Sequence, residues 1–481
     1  MNAPLRRLSV AMLLLFALLL GNLTWVQFVR GDELRSDPRN QRVLLEEYSR
    51  QRGAIVVDGE AVASVTETDG RLKYLRSYPS GPLYAHVTGY KSPQYGESGV
   101  ERSDDSLLSG YDDRLFVRQL SDLVTGRKPK GGNVVLTVNP TVQEATAKAM
   151  QGRKGAAIAL DPRTGEVLSM VSGPSYDPSP LASHDATVRD STWDKLTTDE
   201  ANPMLNRAIN QTYPPGSTFK VVVSAAAMRN GYDSQTQVPS ERGYTPEQTT
   251  AEIRNFNGSS CGGDTSTLEQ ALTVSCNTAY AQLAVKLGRN EIRDQARAFG
   301  FETTDLRCPT AVSTSALGTM DDPPKLAQSG IGQRDVRMTP LQGAMIASAV
   351  ANNGSLMRPY LVSEIQAPDF AVLDKTRPRE FSRPMTAEAA RQLQQMMRGV
   401  VEKGTGRAAR ISGIEVGGKT GTAEDGDARQ DHEWFIGYAK LDGKPVAAVA
   451  VVLENAGTSS SQSAAIAATM MRTIVNTGNG R

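Results

Sequence analysis

Three short groups of residues in this sequence carry functional groups able to act on one another. The first is Ser217-Thr218-Phe219-Lys220, entered through Tyr213-Pro214-Pro215-Gly216. The Pro-Pro-Gly turn closes an extended segment, and the apolar run behind it predicts a helix over Phe219 to Met228, beginning about at Ser217. Residues three apart share a helix face, so Ser217 and Lys220 point the same way, one turn apart. A serine hydroxyl is a weak nucleophile until a base takes its proton, and a neutral lysine can be that base. Neutrality requires desolvation or a nearby cation. Backbone N–H groups at the helix start can help to hold a developing oxyanion. Of all the serines, Ser217 alone has a lysine three positions on.

The second group, Ser275-Cys276-Asn277, falls inside a helical region spanning Thr267 to Leu287. Its hydroxyl could shuttle a proton to a leaving amine, and its amide could orient both a lysine and a substrate amide. The third, Lys419-Thr420-Gly421-Thr422, follows Gly417-Gly418 and leads towards a C-terminal hairpin. A strand ending this way can lie beside an extended substrate. Lys419 with the Thr420 and Thr422 hydroxyls suits a carboxylate, and Gly421 permits close approach of another chain. Each group alone is a pattern that chance can supply. Nucleophile pair, hydroxyl–amide pair and cationic strand in this order are a far more specific signal.

These groups need a scaffold. Val134 to Val138 reads as a strand and Thr141 to Met150 as a helix. Gly155 to Leu160 and Glu166 to Val171 read as a hairpin turning at Asp161-Pro162-Arg163-Thr164-Gly165. A second hairpin pairs Trp434–Ala439 with Val446–Leu453, and Ala464 to Val475 reads as a final helix. Helical patterns between the hairpins include Pro340 to Asn352. Strands at both ends with helices between them predict an α+β domain over 133–481 whose sheet joins N- and C-terminal strands. Before it, 30–132 carries short alternating segments punctuated by turn residues. It reads as a small, strand-rich, non-catalytic domain, its first residues to about 45 being a polar connector.

Ahead of that, residues 1–7 form a short tail with Arg6 and Arg7, and Leu8 to Val29 is an uncharged apolar stretch. A membrane-crossing helix needs about 20 such residues. Trp25 suits the interfacial belt, and the basic flank predicts a cytoplasmic tail with the bulk outside. The stretch is longer than a signal-peptide core and no A-x-A site follows it. A single uncleaved anchor is therefore expected, with the catalytic domain extracytoplasmic.

The 481 residues suit two or three domains. A net charge of +1 gives no argument for nucleic acid as a partner. Cys261, Cys276 and Cys308 have no metal-ligand spacing, so neither metal nor cofactor is expected. Three cysteines outside the cytoplasm allow one bridge. Cys261 and Cys276, fifteen positions apart across Gly262-Gly263, are the expected pair, against the alternative of three separate buried thiols. His86, His184 and His432 could serve a Ser-His-Asp triad, but Lys220 makes one unnecessary. His432 reads as a solvated loop residue.

The chain resembles class B penicillin-binding proteins, and within them the actinobacterial penicillin-binding protein A group. Beyond the three motifs, the resemblance rests on Asn206-Arg207-Ala208, Gly332-Gln333, Thr339-Pro340-Leu341-Gln342 and Trp434-Phe435-Ile436-Gly437. In the front half, Arg52-Gly53-Ala54-Ile55 and Gly99-Val100-Glu101 carry it. Val56-Val57-Asp58-Gly59 stands where the family's Asp-Arg-x-Gly is usual. The resemblance implies the penicillin-binding-protein/β-lactamase fold, an antiparallel sheet with helices on both faces and a helical subdomain. It implies a serine D,D-transpeptidase that cross-links peptidoglycan stem peptides through an acyl-enzyme on Ser217 and is trapped by β-lactams. Lys220, Ser275, Asn277 and Lys419 would be catalytic, and Thr420, Gly421 and Thr422 would bind substrate. Implied partners are a D-Ala-D-Ala donor, an acceptor amine, the membrane, and a glycosyltransferase or divisome or elongation protein. A D,D-carboxypeptidase or β-lactamase shares the three motifs. A β-lactam sensor would need a cytoplasmic output that the short tail lacks, and an inactive scaffold would be expected to have lost a catalytic residue.

Overall fold

The computed structural model describes residues 2–30, 41–116, 126, 128–256, 258–423, 431–457 and 461–478. The polar connector expected over 30–45 lies largely outside them. At the front, Asn2–Phe28 is one helix, solvent-exposed along its described length and long and apolar enough to cross a membrane.

Among the described residues, five strands make the central antiparallel sheet, in the order Glu415–Ala423, His432–Leu441, Lys444–Leu453, Gly155–Leu160, Val167–Gly173. Strands from the N- and C-terminal parts of the catalytic domain meet within it, where Leu160 pairs with Ala448 and Gly155 with Leu453. The second hairpin turns at Asp442 and Gly443, both at positive φ (50° and 74°), as a two-residue turn with the native twist requires.

Both faces of this sheet are covered, which is why its strands read as apolar runs. Side chains alternate between two cores. Ile158, Ile436, Tyr438 and Ala450 join the core that contains the Pro340–Ala351 helix. Ala157, Phe435, Val449 and Val451 join the one beneath Ser461–Asn476. Every residue of Pro340–Ala351 is buried, so its all-round apolarity is that of a core helix. The expected helix over Phe219 to Met228 is Lys220–Arg229. It packs with Asn277–Leu287, Arg289–Ala298 and the long Ala387–Glu402 helix.

Among the described residues, the front module is a six-stranded sheet whose strands come from both halves of the chain. Ile55–Val57, Glu60–Glu67 and Tyr74–Ser77 form one side. Asn133–Leu136 pairs in parallel with Ile55–Val57, and Val362–Gln366 and Val372–Lys375 complete the sheet. The sheet thus straddles the line drawn at 132/133. Short helices at Gly81–Thr88, Gly99–Ser103 and Asp105–Leu108 sit with it. Two segments noted in the sequence meet here. Arg52 Nε donates to Glu101 Oε2 (2.8 Å) and Arg76 Nε to Glu101 Oε1 (2.6 Å), with Tyr78 Oη also donating at 3.1 Å. Burial alone would raise the Glu101 carboxyl, but the two guanidiniums outweigh it and hold it at about 2.

Candidate active site

The Ser217 turn is wedged between three elements. Gly216–Phe219 is a 3-10 turn that runs straight into the Lys220–Arg229 helix. Gly216 adopts φ +52°, and its N–H donates to Gly332 O (2.9 Å). The Trp434 indole donates to Pro214 O (3.0 Å), tying the turn to the middle of the sheet. Tyr213 pairs with Met338 on its other side. Ser217 is half-buried, and Lys220 is completely enclosed behind it.

The second group is a designed-looking break between two helices rather than one continuous helix. Leu268–Thr273 ends and Asn277–Leu287 begins around it. Ser275 N donates to Leu272 O (3.1 Å) and Cys276 N to Ala271 O (2.8 Å), with Ser275 at φ +62°. That is the Schellman ending, in which the left-handed position usually holds glycine. A serine there costs about 1–2 kcal/mol, and in return a hydroxyl stands in the cleft. Cys261 and Cys276 are disulfide-bonded, with Cα atoms 5.9 Å apart, and Cys308 stays a buried free thiol.

Two of the expected residues, Ser275 and Asn277, hold the Lys220 amine. Its Nζ donates to Asn277 Oδ1 (2.7 Å) and Ser275 O (2.8 Å) and lies 3.3 Å from Ser275 Oγ. From the opposite wall, Lys419 Nζ donates to Ser275 Oγ (2.9 Å) and to Thr420 O (2.9 Å). Burial, and then the Lys419 charge, push Lys220 well below the usual lysine range, and burial brings Lys419 down to about 7. A neutral amine has two N–H groups and one lone pair. Asn277 Oδ1 and Ser275 O satisfy both N–H groups of a neutral Lys220, which leaves the lone pair for a hydroxyl proton.

Lys419 to Thr422 belong to Glu415–Ala423, the edge strand of the central sheet. One flank pairs with His432–Leu441, and the other is the sheet edge, the position from which an extended peptide can be added as a further strand. Gly421 also has a packing role that its sequence does not suggest. A Cβ on it would meet Pro215 O at 2.8 Å, Thr218 Cγ2 at 2.9 Å and Trp434 Cβ at 3.1 Å. It makes room for the nucleophile's own turn.

Further residues touch the site, and one of them, Thr405, carries no sequence signal. Thr405 shares a 2.5 Å hydrogen bond with Thr420. Gln333, one half of Gly332-Gln333, donates to Thr422 O (3.5 Å). His432 is no loop residue: it is buried at the start of its strand, with the Tyr213 ring edge-on at 5.4 Å.

A serine at the mouth of a buried helix, with a desolvated lysine one turn behind it, is the site of an acyl-transferring serine enzyme. The fold around it has the sheet and helical subdomain of the penicillin-recognising enzymes. Residues 155–474 match the penicillin binding protein transpeptidase domain, and residues 52–134 match the penicillin binding protein A dimerisation domain. The chain belongs to the class B penicillin-binding proteins. It is 46% identical over 466 residues to the peptidoglycan D,D-transpeptidase PbpA of Mycolicibacterium smegmatis, covering 95% of this chain and 94% of that one. It is 44% identical to PbpA of Mycobacterium tuberculosis, covering 99% and 98%. Among solved structures, the imipenem acyl-enzyme complex of penicillin-binding protein A from M. tuberculosis superposes with a TM-score of 0.86 at 41% identity, over 90% of this chain and all of that one. The penicillin G acyl-enzyme of the same protein gives 0.83 at 40%, over 89% and 99%.

Proposed function

We propose that this protein is a membrane-anchored peptidoglycan D,D-transpeptidase that works through an acyl-enzyme on Ser217 and is inactivated there by β-lactams. The observation that carries the reading is the enclosed Lys220 amine, held by Asn277 Oδ1 and Ser275 O one turn from Ser217.

The donor stem lies along the open side of Glu415–Ala423, its terminal carboxylate held by the Thr420 and Thr422 hydroxyls near Lys419. Lys220 takes the Ser217 proton as Ser217 Oγ attacks the carbonyl carbon of the penultimate D-alanine. N–H groups at the start of the Gly216–Arg229 helical run stabilise the oxyanion. The Lys220 proton passes through Ser275 Oγ, which touches both lysines, to the departing amine, and free D-alanine leaves. An acceptor amine then attacks the ester, giving up its proton along the same route and restoring Ser217 as the hydroxyl. A β-lactam acylates Ser217 in the same way by opening of its strained amide.

The Asn2–Phe28 helix anchors the enzyme, with Arg6 and Arg7 inside and the catalytic domain on the extracytoplasmic face. The front module, with its mixed sheet and short helices, is a docking platform, and a glycosyltransferase-bearing or division complex is the class of partner that would supply uncrosslinked strands. The test is to incubate the detergent-solubilised chain with a D-Ala-D-Ala donor, with and without an acceptor amine, and to identify products by mass spectrometry. A cross-linked product that needs the acceptor and disappears in Ser217→Ala supports a transpeptidase. Hydrolysed donor alone, in the presence of acceptor, identifies a carboxypeptidase.

A further inference from the structure

The helix that begins at Asn277 has an unusual start. The first turn of any helix leaves N–H groups without partners, and the residue just before it normally caps them with a side-chain oxygen. Here that residue is Cys276, a half-cystine that makes no capping bond. The missing acceptor comes from another segment. Asn255 Oδ1 accepts from the backbone N–H of Asn277 (2.9 Å) and of Thr278 (3.1 Å).

The other end of the same amide is equally tied. Asn255 Nδ2 donates to Glu241 O (2.9 Å), Ser259 O (2.9 Å) and Thr278 Oγ1 (3.2 Å), and Thr278 Oγ1 itself donates to Glu241 O (2.8 Å). Asn255 is 9% exposed. Its neighbour Arg254 accepts, through its carbonyl, the Asn277 side-chain N–H (3.0 Å). One short segment therefore holds Asn277 at both its backbone and its side-chain amide nitrogen. The remaining atom of that amide, Oδ1, is the one bonded to Lys220.

We infer that Asn255 is a positioning residue for acylation: it caps the Asn277 helix from outside and so fixes the amide that aims the Lys220 amine. The carboxylate of an aspartate could replace the acceptor half of this role, whereas alanine or serine could not reach both N–H groups. The inference rests on the acyl-enzyme reading above, and the parent protein's labelling tests that reading first.

The experiment uses the full chain in detergent and a fluorescent penicillin, with the acylation rate expressed per folded molecule from a parallel thermal melt. Asn255→Ala and Asn255→Ser are expected to slow acylation on the order of 100-fold, the scale of a misplacement of about 1 Å. Asn255→Asp is expected to recover most of the rate. The acid limb of the rate–pH profile should also move to lower pH in the alanine and serine variants, because a Lys220 ammonium that has lost its Asn277 acceptor gives up its proton more readily. A purely structural residue would lower the melting temperature and leave that limb in place. Parent-like rates and an unmoved limb in folded Asn255→Ala or Asn255→Ser would overturn the inference. So would an Asn255→Asp rate no better than that of alanine, which is the deciding arm should alanine and serine prevent folding. A parent that the penicillin fails to label would instead overturn the acyl-enzyme reading itself.

Discussion

Gly421 separates two explanations of the Lys-Thr-Gly motif. If the missing side chain exists to admit substrate, Gly421→Ala should leave the empty protein untouched and harm binding alone. The geometry says otherwise. The new methyl carbon would stand 2.8 Å from the carbonyl oxygen of Pro215, several tenths of an ångström inside normal contact. The oxygen belongs to backbone held from behind by the Trp434 indole, so it cannot swing away as a flexible side chain would. The second contact, Thr218 Cγ2 at 2.9 Å, adjoins the nucleophile. Overpacking of this kind costs about 1–3 kcal/mol, equivalent to a fall in melting temperature of roughly 1–4 °C for a domain of about 350 residues. Relief by movement of the Pro215–Thr218 turn carries Ser217 with it, so acylation should fall by at least about tenfold, and about 100-fold for a shift near 1 Å. Differential scanning fluorimetry without ligand, together with penicillin acylation rates, reads both effects. An unchanged melting temperature with lost acylation would refute the packing argument and restore the substrate-access explanation.

Ser217→Ala should abolish covalent penicillin labelling while the melting temperature stays within a degree or two, since one small polar atom is lost; gel fluorescence and a thermal melt check it. Acylation by the parent should rise with pH through a value well below the roughly 10.4 of a free lysine, because burial and the Lys419 charge favour neutral Lys220. Stability has its own pH signature. Lys419 loses its proton at about 7 when folded and near 10.5 when unfolded, so between those values the unfolded chain binds more protons. The resulting penalty, on the order of a few kcal/mol, is full below about pH 7, shrinks as pH rises and is gone above 10.5; Lys419→Met should therefore raise the melting temperature most below about pH 7 and least above 10.5. Ser275→Gly should melt no lower than the parent, because it relieves the positive φ, yet acylate far more slowly for want of the hydroxyl. Glu101→Ala leaves the buried Arg76 guanidinium without a carboxylate, while Arg52 keeps Asp105, and should cost about 3–5 kcal/mol, read by chemical denaturation.

What the sequence made legible was chemistry carried by neighbours. Ser217 and Lys220 are three residues apart, so helical periodicity alone puts them on one face. The Cys261–Cys276 pairing likewise spans a short loop. The hairpin around Leu441 to Lys444 announced itself through Asp442-Gly443, and the apolar strands through their composition. Ser275 reads as part of a single helical region because Thr267 to Leu287 has no glycine or proline to mark the break, and a serine occupies the left-handed turn instead. Asn255 was invisible: capping is normally sought immediately before a helix, and this cap comes from 22 positions upstream of the residue it holds. The sheet of the front module could not be foreseen either, since Val134 and Ile365 pair across more than half the catalytic domain's length. Nor could composition reveal that Gly421 faces its own protein.

That front sheet also dictates an order of events during biosynthesis. A chain made from its N-terminus presents Ile55–Val57 and Asn133–Leu136 early, but the strands that complete the sheet, Val362–Gln366 and Val372–Lys375, emerge more than two hundred residues later. Until then the hydrogen-bonding edge of Asn133–Leu136 is unsatisfied, an open template for wrong pairing, and the loop to be closed is long. The nucleophile, the disulfide and the Ser275 turn are all made inside that interval. Front module and catalytic domain must therefore mature together, and a nascent chain stalled before residue 362 would contain Ser217 but neither the strands that complete the front sheet nor the Trp434 that ties its turn in place.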